Sequence, residues 1–286
     1  MDALAIDSTG QSGLKRTEEE NFLSEIMVEA VTRAGVTAEQ MKILKEKRRD
    51  LLGQTVITIR ELVKKNSQEK IISSYRYPQF EFRSIEKQIK NLCQLFPFLN
   101  PKTCPPPQMQ LDGIFAVPNP LAIADSYIEA VRVMFKVLRE SRRGHPDSPK
   151  YDQIDERHLR LRPKTKQAFD KLREQQENRD ILLICCQLGS KYAGQSQIHS
   201  LESMDEKEFP IDSLGVFTIL YTHASRLRHD TDLGIDIVGN EFLGKDGQFS
   251  EMPTFFCDEN GFLVFSSRKN GACERFGTIS GFIPKT

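Results

Sequence analysis

The residues best suited to chemistry gather in the last third of the chain. Gly239-Asn-Glu-Phe-Leu-Gly244-Lys245-Asp246 has the glycine and lysine spacing of a phosphate-binding loop. In such a loop backbone N–H groups cradle the phosphate, the lysine reaches it, and a final hydroxyl holds Mg²⁺. Here Asp246 replaces that hydroxyl, and Gly247 to Pro253 has no helical pattern. The segment therefore reads as a glycine-rich connection between strands. Asp236, Glu241 and Lys245 form a second candidate. Two carboxylates can hold a divalent cation and a lysine can sit beside the attacking water, as in a metal-dependent hydrolase or nuclease. The gap between the carboxylates is narrower than in the usual nuclease arrangement, and the lysine is further from the second. Alternation along Leu233–Val238 puts Asp236 on the face opposite Ile235 and Ile237, directed at solvent or a turn.

Other groups are less complete. The loop Gly189 to Ser196 follows an apolar, strand-like run and carries Ser190, Lys191, Tyr192 and Gln195, which makes it the first choice for a small-molecule site. His223 and Arg226 lie one turn apart at the expected exposed end of a helix and form a possible anion site. Arg157, Arg160, Arg162, Lys164 and Lys166 are the densest basic run, able to contact phosphates of a nucleic acid. Only Tyr151 and Phe169 lie near it, so no aromatic interleaving supports base stacking. The five histidines are not paired at metal spacing and there is no Cys-x-x-Cys, so neither a metal nor a cofactor is expected. Cys185 and Cys186 sit on the apolar run and read as core thiols. Ser84-Ile-Glu-Lys87 has a Ser-x-x-Lys form without companion motifs, which makes Ser84 a helix cap.

The 286 residues carry 40 basic and 40 acidic side chains. The neutrality is a cancellation. Residues 1–129 hold 17 of each; residues 130–179 hold 14 basic and 8 acidic, +6; residues 180–286 hold 9 basic and 15 acidic, −6. The basic run is thus either an outward anion-binding face or the internal counterpart of the acidic segment that follows. No stretch of about 18 apolar residues would span a membrane, and no basic-then-apolar leader follows Met1. A cytoplasmic protein with reduced cysteines is the resulting expectation.

These residues need elements to place them. The expected class is α+β: a helical N-terminal region, with a helical hairpin plus further helices, followed by a mixed or antiparallel sheet domain with one buried helix. Residues 1–16 read as a disordered tail and 17–100 as the helical region. Thr17–Glu20 and Thr37–Gln40 are capping boxes with Gly35 as a C-cap between them. The hairpin is the expected surface for a protein partner. Pro101 to Pro107 tolerates neither helix nor central strand and is read as the connector. Residues 108–286 then form the α+β domain. Its expected parts are a helix opened by Asn119-Pro120, the strand Ile181–Cys186, and a buried helix from Leu214 to Arg228 capped by Asp212. A hairpin around Asn260-Gly261 and a last strand from Gly277 to Ile283 complete it. The functional expectation is a binding or interaction protein without a complete catalytic motif. The hydrolase and nucleic-acid readings are the alternatives.

Overall fold

The computed structural model describes residues 70–77, 82–107, 112–142 and 151–284, together with 33, 35–37, 40, 42 and 47. The chain divides into two compact units, residues 1–64 and 65–286. In the first, Gly35 takes φ +61°, as a helix-ending glycine does. Thr37 and Gln40 exchange the two bonds of a capping box, at 2.9 and 3.3 Å. The rest of the expected hairpin, the Thr17–Glu20 box and the tail lie outside the described residues.

The second unit is an α+β arrangement of two sheets, and the expected boundary at 101–107 falls inside it. Helix α1 (Ile85–Leu95) starts where Ser84 Oγ accepts a bond from Lys87 N and stops before Pro97. Its stripe of Ile85, Ile89 and Leu92 packs into the core together with β1 (Gly113–Pro118). β1 is an outer strand of the first sheet, and Gln88 covers its free edge. The Gln88 amide donates to Ile114 O at 3.0 Å and accepts from Ala116 N at 2.9 Å.

After β1 the helix expected from Asn119 through Leu138 is broken in two: α2 (Pro120–Ile123) and α3 (Tyr127–Ser141). Ala124 is extended, and Ser126 restarts the helix by accepting from Glu129 N. The break sets Tyr127 at the head of α3. β2 (Leu159–Leu161) and α4 (Pro163–Gln175) come next, the latter begun by a proline at its first position. β3 (Ile181–Gln187) is buried at every position, as its unbroken apolar run requires.

The stretch from Gly189 to Ser203, whose Gly, Ser and Gln content reads as loop, contains a 3₁₀ turn, Ser190–Tyr192, and α5 (Gln197–Glu202). β4 (Glu208–Pro210) leads into α6 (Ser213–Thr222), which ends one turn short of Arg226, the last turn being 3₁₀. The remaining strands are β5 (Gly234–Asp236), β6 (Asn240–Leu243), β7 (Phe249–Cys257), β8 (Leu263–Lys269), β9 (Phe276–Thr278) and β10 (Ser280–Phe282). Only Gly261, not Asn260, takes positive φ in the β7–β8 turn, where Asp258 Oδ1 accepts from Asn260 N and Phe262 N. The β-branched and aromatic residues of Ile71–Tyr77 read as a short strand; the chain from Lys70 onward makes two isolated bridges there, Lys70 with Gln195 and Arg76 with Asp232.

The first sheet has the order β1-β3-β10-β4 and is antiparallel throughout. The second runs β2-β6-β7-β5-β9 with β8 on the other edge of β7. It is mixed, because β5 and β9 are parallel. The expected last strand is therefore two short ones: Ile279 alone separates β9, in the second sheet, from β10, in the first. Helix α6 packs on β1 by one side and sets Phe217 edge-to-face with Phe255 and Phe265 of the second sheet by another, at 5.2 and 5.4 Å. Contact with both sheets explains why it is apolar nearly all round. Among the described residues no helix is long and apolar enough to cross a membrane.

Candidate functional site

The elements around the head of α6 enclose a cleft of about 250 Å³. Pro118 and Pro120 end β1 and begin α2; Leu161 and Phe169 come from β2 and α4; Leu214 and Asp212 come from α6 and its cap. Leu121 lies at the open side, 64 % exposed. Lys166, Asp170 and Arg173 also line the cleft, and the Asp170 carboxylate takes both cations, with Lys166 Nζ at 2.7 Å. Most of the lining is apolar, and the deepest polar groups are Tyr127 and Asp212.

Asp212 is there because α6 needs a cap. Its Oδ1 accepts from Gly215 N at 2.8 Å. Gly215 permits the approach, since a Cβ there would stand 2.7 Å from Ile211 Cγ2. Gly239 serves the same corner: a Cβ on it would lie 2.4 Å from Ile211 O. The first glycine of the phosphate-loop-like segment is thus used for backbone packing under the cap, and the segment runs on as β6 and a turn.

The Asp212 carboxyl is 3 % exposed. Burial pushes it up to about 6, opposed by hydrogen bonds from Gly215 N and the Tyr127 hydroxyl. Tyr127 is held well above its ordinary range by burial and then by the neighbouring carboxylate. The Tyr127 hydroxyl also reaches Asn240 Oδ1 at 3.0 Å, and that oxygen accepts from Ser213 N at 2.7 Å. One phenolic proton therefore stands between two acceptors. A carboxyl near neutrality in an apolar recess is a recurrent mark of a binding or proton-handling site.

The sequence-based candidates are distributed differently. Asp236 is fully buried, not solvent-directed. Gln197 of α5 reaches it, and its carboxylate is held by Arg268 at 2.9 and 2.5 Å and by Gln197 at 3.3 Å. Glu241 pairs with Arg160 at 2.6 Å and Arg162 at 2.9 Å, while Lys245 is exposed in the following turn. The three are not brought to one cation position. Among the described residues no three His, Cys, Asp or Glu side chains cluster to hold a metal.

The loop at 190–195 turns inward. Lys191 Nζ and Tyr192 Oη both bond Glu208 Oε2, at 2.5 and 2.8 Å, and Ser280 Oγ donates to the other oxygen. Gln195 is buried and Ser190 exposed. His223 and Arg226, expected at an exposed helix end, are both buried. Phe82 and Phe115 stand beside the imidazole, at 6.1 and 5.0 Å, and its Nε2 accepts from Arg83 N. Burial holds His223 down at about 4, hence neutral. Arg226 donates to Leu188 O and Leu233 O. Burial likewise raises the thiols of Cys185, to about 11, and Cys186.

The basic run is partly consumed inside. Arg160 and Arg162 share Glu241, a residue of the acidic segment, and Arg160 also lies over Phe249 at 4.2 Å. Lys166 pairs with Asp170, and Lys164 is exposed. Arg157 borders an open depression where Glu129, Asp155 and Glu156 outnumber Arg132 and Arg157. Replacing Glu241 by Ala is expected to lower stability by about 1–3 kcal/mol, because the half-buried Arg162 loses its partner. Urea unfolding checks this, and an unchanged midpoint would show the pairs to be inert.

Sequence reasoning identified Asp212 as a cap and missed the cleft. No protein-family model, curated protein or solved structure matches the chain.

Proposed function

We propose that the protein binds a small molecule in the cleft at the head of α6. The observation that supports this reading is a titratable carboxyl, with a tyrosine beside it, at the foot of an otherwise apolar recess. The volume sets the scale of the ligand. Apolar cavities of about 150 Å³ take up benzene, so about 250 Å³ suits one ring with a short polar arm. The apolar lining supplies affinity, and the Tyr127–Asp212 pair supplies orientation. The hydrolase reading has less support, since Asp236 serves one arginine and Glu241 two.

Benzyl alcohol is a suitable neutral probe. At roughly 0.5 kcal/mol for each of its eight non-hydrogen atoms, its dissociation constant is expected near the millimolar range. Titration followed by amide NMR is expected to give saturable shifts confined to residues around Leu161, Phe169 and Leu214. The exposed Leu121, changed to Ser, is expected to weaken binding a few-fold without loss of stability. Absence of saturable shifts up to about ten times that concentration would overturn the reading.

A further inference from the structure

The buried carboxylates of the second unit identify the chemical class of this ligand. Five acidic residues are buried among the described residues: Glu208, Asp212, Asp232, Asp236 and Glu241. Four have a cation at contact distance. Glu208 has Lys191 at 2.5 Å, Asp232 has Arg76 at 2.7 Å, Asp236 has Arg268 at 2.5 Å, and Glu241 has Arg160 and Arg162 at 2.6 and 2.9 Å. Asp212 has none among the described residues. It alone of the five lines the cleft. An anion removed from water needs a counter-charge or extra donors, and Asp212 receives Gly215 N, its own backbone N–H and a phenolic proton it shares with Asn240, none of them from a charged side chain.

Resting on the binding reading above, we propose that the ligand of this cleft is a primary amine on an apolar, ring-sized body, its ammonium docking against Asp212. An ammonium brings three donors and one positive charge, which completes the carboxylate as arginine or lysine completes the other four. The charged groups facing the cleft are compatible with one cation at this depth. Lys166 and Arg173 are both engaged by Asp170, α6 contributes no charged side chain, and Tyr127 from α3 is neutral. A free carboxylate ligand would meet the Asp212 charge instead and is disfavoured.

The test compares benzylamine with benzyl alcohol, which share a body and differ in the head group, by NMR titration of the full chain at pH 7.5 and pH 5. Benzylamine is expected to bind at least tenfold tighter than the alcohol at pH 7.5. It remains protonated throughout, whereas Asp212 gains its proton as pH falls below about 6. Its affinity should therefore drop roughly tenfold at pH 5 while that of the alcohol stays level. Asp212→Asn should erase the advantage of the amine, so that whatever affinity remains is the same for both probes. If the alcohol binds and the amine binds no better, or if the advantage survives in Asp212→Asn, the amine inference is overturned and the cleft reading stands. If neither probe saturates at the cleft, both fail. The pH comparison uses the unaltered chain, so the test does not depend on the variant folding.

Discussion

Replacing Asp212 by Asn is expected to raise the stability of the protein at neutral pH by up to about 3 kcal/mol. The sign follows from linkage. The carboxyl titrates near 3.8 in the unfolded chain and near 6 in the folded one, because burial disfavours its charge. Below about pH 4 both states are protonated and the group is neutral in the balance. Between about 4 and 6 the unfolded chain sheds its proton while the folded chain keeps it, so stability falls as pH rises. Above 6 the full penalty is in force, about two pKa units at roughly 1.4 kcal/mol each. Asparagine keeps an acceptor for Gly215 N and caps a helix as well as aspartate does, so the variant escapes the penalty without losing the cap. Denaturant unfolding of both proteins from pH 4 to 8 reads the effect. Equal slopes of stability against pH, or a variant less stable at pH 7.5, would show that the folded carboxyl is not strained by burial. A group whose neutral isostere makes the fold stronger is a natural place to look for ligand contact, since a bound ammonium would remove the same penalty.

The second large effect is expected at Arg226. Its guanidinium is fully buried, donates through Nε and Nη2 to Leu188 O at 3.1 and 2.7 Å and through Nη1 to Leu233 O at 2.8 Å, and lies 4.9 Å from the Tyr77 ring. It ties the end of β3 to the strand that follows α6. Arg226→Ala strands two carbonyls, at about 1–3 kcal/mol each, and opens a cavity. A loss of roughly 4 kcal/mol or more is expected, a large share of ordinary domain stability. Arg226→Lys should recover only part of this, because one ammonium lacks the planar fork that serves both carbonyls. The urea midpoint measures both variants. A loss under about 1 kcal/mol for the alanine variant would show that the carbonyls find other partners.

Much of the second unit is legible in its residues, and the failures have physical causes. The apolar run Ile181–Cys186 is a fully buried strand, and Asp212 does cap a helix. Leu214 to Leu220 is buried, as its nearly unbroken apolarity requires. The parity of Asp236 was legible, but not that Gln197 of α5 reaches it, because α5 lies in a stretch rich in Ser and Gln that reads as loop. Lys191 and Tyr192 read as surface residues, yet both serve Glu208, whose burial no local pattern signals. The break before Tyr127 was hidden because the apolar spacing continues through it. The cleft was least legible of all. Its lining comes from β1, α2, α3, β2, α4 and α6, and what distinguishes Asp212 is a missing counter-charge, a property of neighbours far along the chain.

The single residue between β9 and β10 has a consequence for how the molecule assembles. β10 lies between β3 and β4, and β9 closes the edge of the second sheet beside β5. Neither sheet is finished until this one short segment arrives, and it is separated in sequence from most of its partners. Such distant pairing delays the reward for ordering the chain. Until it docks, β3 and β5 each keep one edge unpaired. A substitution that displaced Ile279 is therefore expected to disturb the pairing of both sheets at once.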